Sequence, residues 1–342
     1  VLAWLLWALA HAFPGVAWFS VLQVALLWLS AVLLVKSPAQ LSRRHGLTVW
    51  PGALAGAVLL VGYTLFVVCR ISYTTTCALC GAAAVAQAAS VDCTAPRRRS
   101  VIGPLLGSAA LLLATYSIRQ VSVVPALCFW ALTLLVKVRS AFGRGRLPWR
   151  NAKPVWTGLL ITALLFGGFA GVRAIDIRTN HAEDFLAWQN ERIRLFDYSD
   201  FDTTTTPQTL AKTGWSDTEF TMFTYWYFLD DNMTTDALSQ LNAQQTADDA
   251  GVTTASRLRA VWPLIQTSFG RETAMRMGIR AALAMLLAAL CAWAMRRKRR
   301  LWEPIGLLAA ALGGAALLVY LAYAGRLPMR AMTSVVFPLA AY

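Results

Sequence analysis

Charge is scarce in this 342-residue sequence: Asp, Glu, Lys and Arg make up 14% of it, against about 25% in an ordinary soluble chain. Acid is scarcer than base, with 17 Asp and Glu facing 31 Lys and Arg. The three histidines, His11, His45 and His181, lie too far apart for any paired-ligand zinc spacing. No glycine-rich loop of the phosphate-cradling kind is present. Gly143-Arg144-Gly145-Arg146 is basic, and reads as a topogenic or anionic-lipid-binding loop. No well-defined apolar run has an Asp or Glu in its middle; Asp92 and Glu303 sit at the edges. Ion-coupled pumps keep intramembrane carboxylates as relays, so proton- or sodium-coupled transport is disfavoured. None of the six cysteines falls between 174 and 277, so no disulfide staples that stretch.

What is abundant is apolar surface: 57% of the residues are hydrophobic and the mean hydropathy is +0.53. A bilayer core needs about 20 apolar residues per helix. Runs at 15–35, 49–69, 75–91, 101–117, 121–138, 155–173, 278–295 and 302–324 meet or approach that length. The third is the weakest, being Ala-rich and holding Gln87. Residues 1–13 and 331–342 read as parts of further spans. The expectation is an all-α polytopic transmembrane bundle of about eight or more spans. The net charge of +14 lies between these runs rather than on one polar domain, which excludes nucleic acid as a partner. The chain starts in an apolar run without Met and stops inside another, as a fragment of a longer protein would.

The loops set the orientation. Basic clusters occur at Lys36, Arg43 and Arg44, at Arg97-Arg98-Arg99, at Arg139 to Lys153, and at Arg296-Arg297-Lys298-Arg299-Arg300. Every second loop is basic, the pattern of loops facing the cytoplasm. Residues 174–277 then lie outside. They hold 15 of the 17 acidic residues and have a net charge of −7, against +21 for the remainder. The expected organisation is six spans in 1–173, a small helical extracytoplasmic domain in 174–277, and further spans in 278–342.

The external segment has helical spacing. Phe185, Trp188, Arg192, Ile193 and Phe196 recur through an expected helix at 181–196. Ser216 and Glu219 form a capping-box pattern, with Trp215 and Phe220 in the positions of a hydrophobic staple. They open an aromatic helix expected over 217–229, which is apolar nearly all round. Such a helix is either core or a platform for a sugar or lipid. Asp230 and Asp231 close it, as a turn or as a carboxylate pair able to bind a divalent cation. Further helices are expected at 235–246 and from 253, the latter broken or kinked by Pro263.

Three groups of side chains are candidates for function. The first is external: Arg192, Asp197, Tyr198, Trp226, Asp230 and Asp231, with an Arg192–Asp197 pair as scaffolding the plainer alternative. The second is a cationic patch on the outer membrane surface from Arg70, Arg119, Arg173 and Arg178, suited to lipid headgroups or to the acidic domain. The third is Cys77-Ala78-Leu79-Cys80, whose first thiolate would sit near a helix N-terminus, although small Cys side chains also serve as packing residues.

Two resemblances attach to these residues. Asn190-Glu191-Arg192, Asp197-Tyr198, Gly214 to Asp217, Phe228 to Asp231 and Arg70-Ile71-Ser72-Tyr73 together resemble the external segment of bacterial polytopic membrane proteins of unassigned function. This implies an envelope protein of the cytoplasmic membrane and no particular reaction. The CxxC is similar to the membrane motif of the vitamin K epoxide reductase family, which implies thiol–quinone chemistry; the resemblance covers Cys77 and Cys80 alone. That family's loop-borne cysteine pair has no counterpart, Cys69 being the only near neighbour. The leading expectation is a non-redox protein that binds a lipid-linked, glycan or protein partner at the outer face, with no cofactor. The alternatives are an enzyme transferring lipid-linked sugars with a divalent cation, and a thiol–quinone oxidoreductase with a quinone.

Overall fold

In the computed structural model, residues 2–44, 46–67, 72–91, 99–142, 153–198, 210, 212–225, 232–248, 254–270, 302–324 and 329–342 are described. All of their regular structure is α-helical: α1 Leu2–Ala12, α2 Trp18–Arg44, α3 Trp50–Val67, α4 Tyr73–Ala89, α5 Arg99–Ile118, α6 Gln120–Phe142, α7 Lys153–Thr179, α8 Glu183–Tyr198, α9 Asp217–Thr224, α10 Thr235–Asp248, α11 Thr254–Gly270, α12 Trp302–Tyr323 and α13 Met329–Ala341. Five are long and apolar enough to cross a membrane: α2, α5, α6, α7 and α12. The chain is thus an all-α, multi-pass membrane protein. The α3 and α13 helices contribute shorter apolar stretches, 50–61 and 332–341. The expected span at 278–295 lies outside the described residues.

Two compact units divide the chain. The first comprises 1–170, 267–318 and 328–342; the second comprises 171–266 with 319–327.

The first unit is organised around α4. Fourteen of its seventeen residues are buried, and α2, α5, α6 and α13 all pack on it. Composition explains why this Ala-rich helix takes the centre. Its Ala, Gly, Cys and Thr side chains are short, so neighbouring backbones can approach, which is what drives association where lipid tails remove the usual hydrophobic gain. A Cβ added at Gly81 would stand 2.8 Å from the Ala126 Cβ of α6. Large apolar side chains fall instead to the outer helices, where Trp28, Leu54, Leu135, Leu164 and Leu312 are exposed.

The α2–α3 crossing uses the same device. Gly52 and Gly56, a GxxxG pair, lie directly on the α2 backbone at Pro38 and at Leu34 and Val35. Pro38 has no N–H to offer the Leu34 carbonyl one turn back, and Gly56 packs against that same carbonyl.

Several hydroxyls inside this unit are bonded to their own helix, as an apolar surrounding favours. Thr115, Thr133 and Thr162 donate to carbonyls four residues earlier, Leu111, Phe129 and Gly158. Trp130 Nε1 donates to Ser108 Oγ at 3.0 Å, tying α6 to α5. Tyr116 and Phe166 meet edge-on at 5.9 Å, and the Gly158 backbone accepts the Leu105 side chain, which joins α7 to α5.

The second unit has a core of its own from Leu195, Leu210, Trp215, Phe223, Met233, Ala237, Leu238 and Leu241, flanked by Trp188, Phe220 and Met222. Within it α8 packs on α10. The α9 helix begins at the expected capping box: Ser216 Oγ accepts from the Glu219 N–H, and the Glu219 carboxylate accepts from the Ser216 N–H. Two expectations change here. The aromatic helix ends at Thr224, where Tyr225 turns out of it, rather than at 229; Trp226 to Asp231 lie outside the described residues. Trp215 meets Phe223 edge-on at 5.1 Å, and Phe220 packs against the same cluster. Finally, α11 runs unbroken through Pro263.

Candidate functional site

The module's most tightly held feature is the turn at Asn232–Met233. Trp188 Nε1 donates to the Met233 carbonyl at 2.7 Å. Trp215 Nε1 donates to the Asn232 carbonyl at 3.0 Å. Asn232 Nδ2 in turn donates to Glu219 Oε1 at 2.6 Å. Indole N–H groups half-buried in an apolar core require acceptors, and the two carbonyls supply them. Glu219 thereby serves two purposes, closing the α9 cap and fixing the turn 13 residues later. Asp231 is covalently attached to this anchored turn. At the other flank of 226–231 stands Tyr225, 72% exposed.

Of the external candidates, Arg192 is buried in α8 and donates from Nε to Gln189 Oε1 at 3.2 Å, one turn earlier. Asp197 and Tyr198 form the last turn of the same helix; their side chains, and all of Trp226, Asp230 and Asp231, lie outside the described residues. Beside Arg192, Glu191 bridges two elements. It pairs with Arg194 at 3.3 Å and takes both Asn242 Nδ2 bonds, at its carbonyl (2.9 Å) and its carboxylate (2.7 Å), joining α8 to α10. The module also leaves Phe185 exposed, stacked at 6.3 Å on Trp188.

The cationic candidates divide between the units. Arg119, at the α5–α6 junction, belongs to the first; Arg173 and Arg178, exposed on the C-terminal end of α7, belong to the second. Arg70 lies outside the described residues. Arg119 donates from Nη1 to Thr74 Oγ1 at 2.6 Å, and its guanidinium lies over the Tyr73 ring at 5.3 Å. It therefore grips the first turn of α4, where Ser72 and Thr75 cap each other's backbone N–H groups. At the far end of α4, Arg44 donates to the Ser90 carbonyl, a cation at the negative pole of the helix.

Cys77 and Cys80 are fully buried free thiols on α4. Cys77 Sγ donates to the Thr115 carbonyl at 3.6 Å and Cys80 Sγ accepts from Ser30 Oγ at 3.5 Å. Thiol–disulfide exchange requires a sulfur that a partner can reach; here both are enclosed by α2 and α5. Among the described residues no three His, Cys, Asp or Glu side chains converge as a metal site.

No family model, curated protein or solved structure matches the chain. Function is therefore argued from the chain's own residues. Several residues that organise both units take roles here that the sequence does not assign them: Ser30, Gly52, Gly56, Ser72, Asn232 and Asn242. Only the Gly52–Gly56 spacing and the Ser72–Thr75 cap carry a local signal; the others depend on partners 13 to 51 residues distant.

Proposed function

We propose that this protein crosses a bacterial cytoplasmic membrane at least eight times and works at the extracytoplasmic face. There the acidic module of 174–277 binds a lipid-linked, glycan or protein partner. The observation that carries this reading is the separation of charge: 15 of 17 acidic residues lie in one segment between runs flanked by alternating basic loops. The fold adds support. The module closes a core from its own residues, and that core anchors both flanks of 226–231, through α9 and through the Asn232–Met233 turn. Aromatic and carboxylate side chains in a segment held at both ends suit sugar hydroxyls and apolar ring faces.

Two measurements test it on the full chain. A phosphatase reporter inserted near 250 is active if the module is external; activity of a cytosolic reporter at that position would sink the reading. Native mass spectrometry of the protein extracted from its own membrane then shows a bound lipid-linked or glycan species, or a stoichiometric protein subunit. Its occupancy falls at least tenfold in Trp226→Ala with Asp231→Ala. Unaltered occupancy and phenotype in that variant would dismiss residues 226–231 as the site.

A further inference from the structure

We propose that α11 is an interfacial helix, which lays one face into the headgroup layer of the bilayer and grips lipid phosphates with two arginines. Within Thr254–Gln266, Leu258 and Trp262, one turn apart, are 56% and 64% exposed. At 100° per residue, Leu258, Val261, Trp262 and Ile265 form one stripe. Val261 at its margin is buried and Ile265 half-buried, whereas every residue from Thr254 to Ala260 is exposed, so the stripe is bare over Leu258 and Trp262. Arg257 and Arg259 fall about 100° to either side of the stripe's centre. That is the arrangement in which long stems run along apolar surface while their heads reach the phosphates.

Charge selects the lipid surface as occupant. The module as a whole carries −7, and its carboxylates are repelled by an anionic leaflet, whereas the α11 stripe is flanked by two of its eight cations. The docked orientation is thus defined: α11 toward the headgroups, the acidic body away from them. Chain continuity points the same way. Seven residues separate Gly270 from the apolar run 278–295, a tether of at most about 25 Å. Tryptophan also favours the headgroup layer. The inference requires only that the chain spans the membrane. It stands whichever face holds the module and whatever residues 226–231 bind.

The test places p-benzoylphenylalanine at Leu258, Trp262 or Ile265, or on the opposite face at Ser256 or Ala260, in the full chain. The protein is reconstituted in vesicles mixing phosphatidylglycerol with phosphatidylcholine. Irradiation should yield phospholipid adducts at the first three positions and at least fivefold less at the other two. The Arg257→Gln, Arg259→Gln variant, probed at position 262, should lose its preference for phosphatidylglycerol, with partitioning reduced by about fivefold per arginine. Polypeptide adducts at 258 and 262 would overturn the proposal in favour of a protein partner or a second copy. Equal lipid adducts on both faces, or none, would overturn it as well.

Discussion

Arg119 and Thr74, 45 residues apart in sequence, share a 2.6 Å hydrogen bond that fastens the start of α6 to the first turn of α4. The same guanidinium covers Tyr73, so one side chain orders the entry of the most buried of the described helices. Hydrogen bonds to charged groups contribute about 1.5–3 kcal/mol, and an exposed cation–π contact about 0.5–1 kcal/mol. Arg119→Ala should therefore destabilise the first unit by about 2 kcal/mol in detergent unfolding of the whole chain. Thr74→Val should cost less, and the double variant should fall short of the sum, because the two residues share one bond. Additive losses would show that the bond is not formed.

The glycine contacts divide into those that bear on packing and those that do not. A methyl at Gly56 has no room against the Leu34 carbonyl, whereas one at Gly103 meets nothing within 4 Å. Gly56→Ala should part α2 from α3 and lower the unfolding temperature, while Gly103→Ala should be neutral or slightly stabilising, within about 1 kcal/mol. Equal effects at the two positions would contradict the crossing.

Both α4 thiols should resist a membrane-permeant maleimide in the native bilayer and react once the protein is denatured. Mass spectrometry of the 73–89 peptide reads this directly. Isolation of that peptide as a Cys77–Cys80 disulfide, opening on reduction, would instead show that the pair moves between thiol and disulfide.

In the acidic module, Ser216→Ala removes one N-cap acceptor, a loss of about 1 kcal/mol. Glu219→Ala removes the acceptor for both the Ser216 N–H and the Asn232 side chain, and should cost more. Hydrogen exchange on the full chain should then quicken in both 216–224 and 232–236 for Glu219→Ala, but mainly in the first for Ser216→Ala. Exchange confined to α9 in both variants would break the proposed link between cap and turn.

Phe223 is fully buried in the module's own core, so Phe223→Ala should cost about 3–5 kcal/mol there. Protease should cut 174–277 faster while the α4 peptide stays protected. Loss of protection in α4 as well would mean that the two units unfold together.

Hydropathy and capping act over a few residues or along a single dimension, and for that reason the sequence alone determined the approximate positions of most described helices, the all-α multi-pass class and the Ser216–Glu219 cap. The central place of α4 was not legible. Its small residues lower the hydropathy by which spans are recognised, and the same smallness admits four neighbouring helices. Nor could the partners of Trp188, Trp215, Arg119 and Asn242 be foreseen, since each is chosen by which backbone or side chain the fold brings within 3 Å from far along the chain. Local physics names the helices; only packing decides which of them is the core, and which polar atoms meet inside it.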